Sequence, residues 1–207
     1  MSEVKFIQFS AHDLPTSEIS RREVLRYMGC KQSSDEIESL ISKGVSECND
    51  KLCYKIIYRE FPITHKEDSL DLGFMNTESR DLKKTLCGCD SIILFAATLG
   101  LEIDRSIKRF SHISPSLAVA IQAIGAERIE ALCDKFSLEI KNEAQQKGRT
   151  ITPRFSPGYG DFPLVAQREI FKSLPCDRML GLTLLDSLLM SPTKSVTAVI
   201  GIKTKKD

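Results

Sequence analysis

Apolar positions recur along this chain with two different periods, and the points where the period changes divide it into elements. Residues 4–9 alternate weakly, the pattern of an edge strand. The segment 18–27 reads as a short helix with Thr16 or Ser17 as its cap and Gly29 at its end. A second helix follows from Ser34, capped by Ser33 or Ser34, with Ile37, Leu40, Ile41 and Val45 on one face. The stretch 53–61, rich in Tyr and Ile and closed by Pro62, reads as a strand, and 70–74 as a shorter one. Residues 77–86 have the pattern of a helix capped by Thr77 or Asn76.

The middle of the chain carries the clearest signals. Residues 91–100 form a continuous apolar run between Asp90 and Gly100, which suits a strand buried on both faces. Residues 101–110 read as a helix with Ile103, Ile107 and Phe110 on one side and an Asp104–Lys108 pair on another. From Pro115 to about Lys147 the spacing predicts the longest helix, its core stripe made by Leu117, Ile121, Ile124, Leu132, Phe136 and Ile140. Ala118, Ala120, Ala123, Gly125 and Ala126 leave room for another element to approach it. Glu127, Glu130 and Asp134 share a face of this helix, as a solvated acidic stripe or as a carboxylate beside a cationic ligand group. Residues 164–174 predict a further helix, and 194–202 alternate as a C-terminal strand. This mixed order, without regular strand–helix alternation, points to an α+β fold.

Between two of these elements lies Arg154-Phe155-Ser156-Pro157-Gly158-Tyr159-Gly160-Asp161-Phe162-Pro163. Pro157-Gly158 is a turn signal. Asp161 followed by Pro163 is the signature of a helix start, with Asp as the cap. A guanidinium, a phenol, a flexible corner and a helix start within ten residues suit an anionic or zwitterionic small ligand. A structural loop with a surface arginine is the plain alternative.

Bulk properties narrow the partners. The 207 residues carry 29 basic and 28 acidic side chains, a formal charge of +1, which argues against a nucleic-acid surface. No apolar run approaches the roughly 20 residues that span a bilayer, so no membrane partner is expected. The start, Met1-Ser2-Glu3-Val4-Lys5, lacks the pattern of a signal peptide. The expected setting is therefore cytoplasmic, with the seven cysteines as reduced thiols, most of them in the core. Cys87-Gly88-Cys89 is too tight for the usual zinc pair, Cys48 and Cys53 have no partner pair, and His12, His65 and His112 are scattered. No metal site is expected.

The second half resembles the activation domain of cobalamin-dependent methionine synthase. The likeness rests on 94–100 followed by Glu102 and Asp104-Arg105, on Ala126-Glu127-Arg128-Ile129-Glu130-Ala131 in the long helix, and on two later motifs. Those are the loop Arg154-x-x-x-Gly158-Tyr159 and the closing segment Leu189-Met190-Ser191-Pro192-Thr193-Lys194-Ser195-Val196. The likeness covers about 90–201. The continuation from Gly158 to Pro163 and the length of the chain look most like small, separate activation-domain-like proteins that serve corrinoid enzymes in anaerobic bacteria. We therefore expect one activation-domain-like domain over 1–207, with a ligand-binding core at 90–207 and an N-terminal part at 1–89 that matches less well.

The resemblance implies a twisted antiparallel sheet with flanking helices and a groove for S-adenosylmethionine. In the family this ligand remethylates cobalamin after its cobalt has been oxidised and then reduced by one electron. Arg154 would pair with the ligand carboxylate and Glu130 would sit near its ammonium or sulfonium charge. Gly158 would allow close backbone approach, and Tyr159, the residue placed at the chemistry, would lie between ligand and corrin. Ser195 would contribute only its backbone. Asp13 stands in for the family's acidic partner of the ligand amine. Nothing in the chain resembles a cobalamin-binding module, so cobalamin would come on a corrinoid-binding methionine synthase or related methyltransferase, with an electron-donor protein to reduce it.

Three functional readings follow. The first is a reactivation factor that binds S-adenosylmethionine, and the second a docking module for a corrinoid protein that binds no ligand. The third, an acyl-CoA-type transferase, rests on the arginine and glycines before a helix. Its spacing is off by one residue and the segment before the loop is weak as a strand.

Overall fold

The continuous apolar run at 91–100 folds as the middle strand of an antiparallel sheet, covered on both faces. The computed structural model describes residues 3–14, 19–48 and 50–204. In chain order its first half holds β1 (Lys5–Phe9), α1 (Arg21–Met28), α2 (Asp35–Cys48), β2 (Tyr54–Pro62), three two-residue strands β3 (Thr64–His65), β4 (Leu70–Asp71) and β5 (Asn76–Thr77), then α3 (Arg80–Thr85). The second half holds β6 (Ser91–Thr98), α4 (Glu102–Ile113), α5 (Pro115–Gln146), β7 (Arg149–Ile151), α6 (Gln167–Ser173), α7 (Cys176–Leu180), the short strands β8 (Thr183–Leu184) and β9 (Met190–Ser191), and β10 (Ser195–Thr204). The main sheet has the order β1-β2-β6-β10-β7, antiparallel throughout. The fold class is thus the α+β arrangement expected, a curled antiparallel sheet with flanking helices.

β6 reads as unbroken apolar because both of its faces are buried. Phe95 lies opposite Tyr58 of β2 and Ala198 of β10. On that face the second half of α5 covers the sheet with Ile129, Leu132, Cys133, Phe136 and Ile140. Phe136 meets Phe95 and Tyr58 at ring centroids of 4.9 and 5.1 Å. Tilted and edge-on aromatic pairs of this kind add about 1 kcal/mol each beyond their buried area. On the opposite face Ile92, Leu94, Ala96 and Val199 pack against Leu82 and Leu86 near α3 and against Ile170 and Leu174 near α6.

The small-residue face of α5 is covered by the chain itself. Ile41 and Cys48 of α2, Val24 of α1 and Ile103 of α4 pack with Leu117, Ile121, Ala123 and Ile124. Contact is so close that a Cβ on Gly44 would lie 2.7 Å from Ile124 Cδ1 and 3.7 Å from Ala120 Cβ. The room that these small residues leave is taken by α1, α2 and α4, so this face is not open for a partner to dock on.

Several boundaries also differ from expectation. α1 starts at Arg21 with Ser20 as cap, and Thr16, Ser17 and Glu18 lie outside the described residues. Asn76 and Thr77 form β5, and the cap of α3 is Ser79, whose hydroxyl accepts from Leu82 N–H. Only Leu70 and Asp71 of the expected 70–74 strand pair as one. Asp104 does not serve Lys108: its carboxylate accepts the Thr193 N–H at 2.7 Å and the Thr193 hydroxyl at 2.5 Å. The segment before the arginine loop does form a strand, β7.

Candidate functional site

The site begins with the ladder that carries the chain out of α5. β7 pairs with the end of β10, Ile151 opposite Ile202. The chain then continues along the same edge: Thr152 N–H donates to Gly201 O, and Phe155 and Val199 exchange both backbone bonds, all at 2.9 Å. Side chains alternate across a strand, so Phe155 goes to the α6 face, where it packs with that core. Arg154 goes to the α5 face.

There Arg154 meets the acidic side of α5. Its guanidinium donates to Asp134 Oδ1 at 2.5 Å and to Glu130 Oε2. Burial alone would lower the arginine pKa, but the Asp134 hydrogen bond and the neighbouring charges leave it raised above its ordinary value. Two carboxylates around one guanidinium give this cluster a net negative charge. Glu127 does not join it. That carboxylate is buried and forms a two-point pair with Arg128, both contacts at 2.5 Å, and accepts the Ser20 N–H at 3.2 Å. The expected acidic stripe is therefore divided: Glu127 ties α5 to the segment before α1, and the other two hold Arg154.

Beyond Phe155 the chain leaves the sheet edge at Pro157 and closes a tight turn, with Gly158 N–H donating to Phe162 O at 2.8 Å. Gly158 and Gly160 have φ of +91° and +51°, the left-handed region that side chains rarely adopt. A Cβ on Gly160 would also fall 2.3 Å from Asp81 Oδ2. Asp161 behaves differently from expectation. Its carboxylate accepts Arg80 N–H at 2.7 Å, Asp81 N–H at 3.2 Å and the Ser79 hydroxyl, capping α3 across the chain. Those bonds, the Ser79 one first, hold its pKa below the ordinary carboxylate value. The following segment opens as a 3-10 turn at Leu164–Ala166 with no side-chain cap.

The turn and the sheet edge enclose a cavity of about 420 Å³. Glu130, Arg154 and Tyr159 form its charged and aromatic side, and Tyr159 stands 68% exposed. Ser195, Val196 and Thr197 of β10 form another wall, with Met190, Phe155 and Gln167. Gln167 and Thr197 are buried and bonded to each other, Thr197 Oγ1 to Gln167 Oε1 at 2.9 Å. The Ser195 hydroxyl is turned to Thr98 Oγ1 at 2.9 Å and Pro192 O at 2.8 Å.

The structure thus brings together Glu130, Arg154, Tyr159 and Ser195 around one space. Gly158 sits in the adjoining turn and does not line the cavity. Asp13 is elsewhere: its carboxylate accepts Ser10 N–H and the Ser10 hydroxyl, each at 2.7 Å, and it does not line this space. The amine partner expected of Asp13 is corrected accordingly. Gln167 and Thr197 were not singled out by the sequence. Their signal was faint, one more polar residue at the start of a largely polar helix and a threonine among buried strand positions. Among the described residues no group of three or more His, Cys, Asp or Glu is placed to hold a metal ion, and no helix is long and apolar enough to cross a membrane.

No protein-family model matches the chain, and no curated protein matches it by sequence. Among solved structures it is similar to the MetH reactivation domain bound to AdoHcy (S-adenosylhomocysteine), with a TM-score of 0.68. That match covers 99% of this chain and 80% of the other at 15% sequence identity. The likeness shows the fold: this chain has the architecture of that reactivation domain.

Proposed function

We propose that this chain binds S-adenosylmethionine in the Arg154 cavity and acts as a separate reactivation factor for a corrinoid methyltransferase such as methionine synthase. The observation that carries the reading is the joint position of Arg154, Glu130 and Tyr159 around one cavity, in the fold of a domain solved with AdoHcy. The residues fit such a ligand. The cavity volume lies within the roughly 300–1,000 Å³ usual for small-molecule sites. Arg154 spends two of its N–H groups on Glu130 and Asp134, and a guanidinium has five, which leaves donors for a carboxylate. The excess negative charge beside it suits an ammonium and a sulfonium.

When bound, the ligand supplies a methyl group already activated on sulfur. What the chain supplies is position: Arg154 and Glu130 hold the charged end, and Tyr159 at the mouth meets the incoming corrin. The cobalamin then belongs to the partner protein, and an electron-donor protein serves that partner. All seven cysteines stand as free thiols, in keeping with a cytoplasmic setting. We take 1–207 as a single activation-domain-like unit, since β1 and β2 from the N-terminal part share the sheet with β6 and β10.

The test is reconstitution. An inactivated corrinoid methyltransferase is given reductant and S-adenosylmethionine, with this protein, with Arg154→Ala, or with neither. Activity should return with the native chain alone.

A second reading is a docking module without a ligand. It is favoured by one observation, that Arg154 already has two carboxylate partners. Under it, Arg154→Ala would support the partner as well as the native chain does.

A further inference from the structure

Gln167 is 4% exposed, yet one of its two amide atoms has no hydrogen-bond partner among the described residues. Thr197 Oγ1 bonds the carbonyl oxygen at 2.9 Å, which leaves the amide nitrogen as a free donor, and Gln167 lines the cavity. That nitrogen is not among the buried atoms without a partner, so it is open to the cavity and stands as an available donor there.

The strand beside it has the complementary group. In an antiparallel strand the N–H and C=O of one residue point to the same edge, and that edge alternates along the chain. Val199 bonds Phe155 and Gly201 bonds Thr152 on the outer edge of β10. Thr197 is in phase with both, so its N–H and C=O point to the same edge. The pairing chain has left that edge at Pro157, and Thr197 lines the cavity. One donor from Gln167 and one acceptor from the Thr197 backbone therefore face the same space, between the apolar side chains of Val196, Met190 and Phe155. This end is neutral, whereas the Glu130–Arg154 end is charged.

We propose that Gln167 is a specificity-determining residue that reads the base of an adenosine-bearing ligand, its amide N–H donating to the ring nitrogen N1 while Thr197 C=O accepts from the 6-amino group. The inference rests on the reading of the cavity as a site for S-adenosylmethionine. A base carrying N1–H and a 6-oxo group reverses both positions, so it meets donor with donor and acceptor with acceptor. Sites built to hydrogen-bond a polar edge reject analogues that lack it far more strongly than apolar pockets reject small changes in size.

The experiment measures calorimetric affinity for S-adenosylhomocysteine and for its inosine counterpart, with the native chain, Gln167→Met and Thr197→Val. The native chain should prefer the adenosine form by about a hundredfold or more, two groups each contributing roughly tenfold. Gln167→Met should weaken the adenosine form about tenfold and leave the inosine form unchanged or tighter. Thr197→Val keeps a β-branched residue in the strand and only frees the Gln167 side chain. It should cut the same preference, and it serves if Gln167→Met does not fold. Equal losses for both ligands would mean that Gln167 only packs, and would overturn the proposal. So would an unchanged preference. A native chain that binds neither compound would overturn the reading of the cavity itself, and this inference with it.

Discussion

Glu130, in the middle of the long helix α5, holds the guanidinium of Arg154, which the β7 edge delivers from 24 residues further along the chain. With Asp134 on the other guanidinium arm, behind the cavity wall, the cluster has one positive and two negative groups. That excess charge should favour a sulfonium over the neutral thioether of the same ligand. For an exposed pair about 4 Å apart the difference is roughly 1 kcal/mol, or about fivefold. Glu130→Gln should therefore lower affinity for S-adenosylmethionine about fivefold more than for S-adenosylhomocysteine. Equal losses, measured by calorimetry on both ligands, would count against a charge role for Glu130.

Glu127 lies one turn before Glu130 and does a different job. Its pairing with Arg128 is buried at both ends, 5% and 2% exposed. Removing one partner of a buried ion pair typically costs about 3–5 kcal/mol. Glu127→Gln should lower the unfolding free energy by about 3 kcal/mol in urea titrations, whereas Glu130→Gln, at a partly exposed pair, should change it by less than about 1 kcal/mol. Comparable losses for both would show that the two carboxylates are not divided as described.

Most of the fold was legible because its pattern survives packing. The run 91–100 reads as a buried strand since both faces of β6 are covered, and the α5 stripe stays in phase over 32 residues. The small-residue face was seen, but not what covers it, because Gly44 meets Ala120 and Ile124 only through the tertiary fold. Local cap signals misled where a distant partner won. Asp161 reads as the cap of the helix after it, yet the free N–H groups of α3 lie closer in space. Arg154, Glu130 and Tyr159 were visible as residue types at their spacing. Gln167 and Thr197 were not, since a strand edge vacated by its neighbour leaves no trace in composition.

The cross-chain cap gives a pH prediction. The Asp161 pKa is depressed in the folded protein, so its contribution is present above the ordinary carboxylate value of 3.8 and is lost as pH falls through the lowered one. Asp161→Asn should melt at a lower temperature than the native chain at pH 7, and the gap should close as acid protonates the native carboxylate. A gap that is constant from pH 7 to pH 2 would contradict the capping role.

Alkali should destabilise the fold through buried thiols. Burial pushes Cys48 up to about 11 and Cys133 and Cys176 to about 12, from 9.0. The sign follows from linkage: the unfolded chain releases these protons first, so stability is full below about pH 9 and declines as pH rises towards 11 and 12. Lys194 opposes the trend, because burial lowers its pKa, but it is one group against these three thiols and against Cys89, Tyr54 and Tyr58, which burial also pushes up. The melting temperature should hold from pH 7 to 8.5 and fall steadily beyond pH 9. A flat curve to pH 11 would mean that these thiols and phenols are not buried as found.

Whether the Arg154 cavity is a site for S-adenosylmethionine is decided by titration calorimetry of that ligand with the native chain and with Arg154→Ala. Arg154 is 25% exposed and joins two elements, so the melting curve of the variant is recorded alongside. The account predicts one-site, saturable binding to the native chain, and a loss of at least about a hundredfold in a folded Arg154→Ala, the scale of a missing charge-assisted contact. Native-like affinity in that variant would contradict the account.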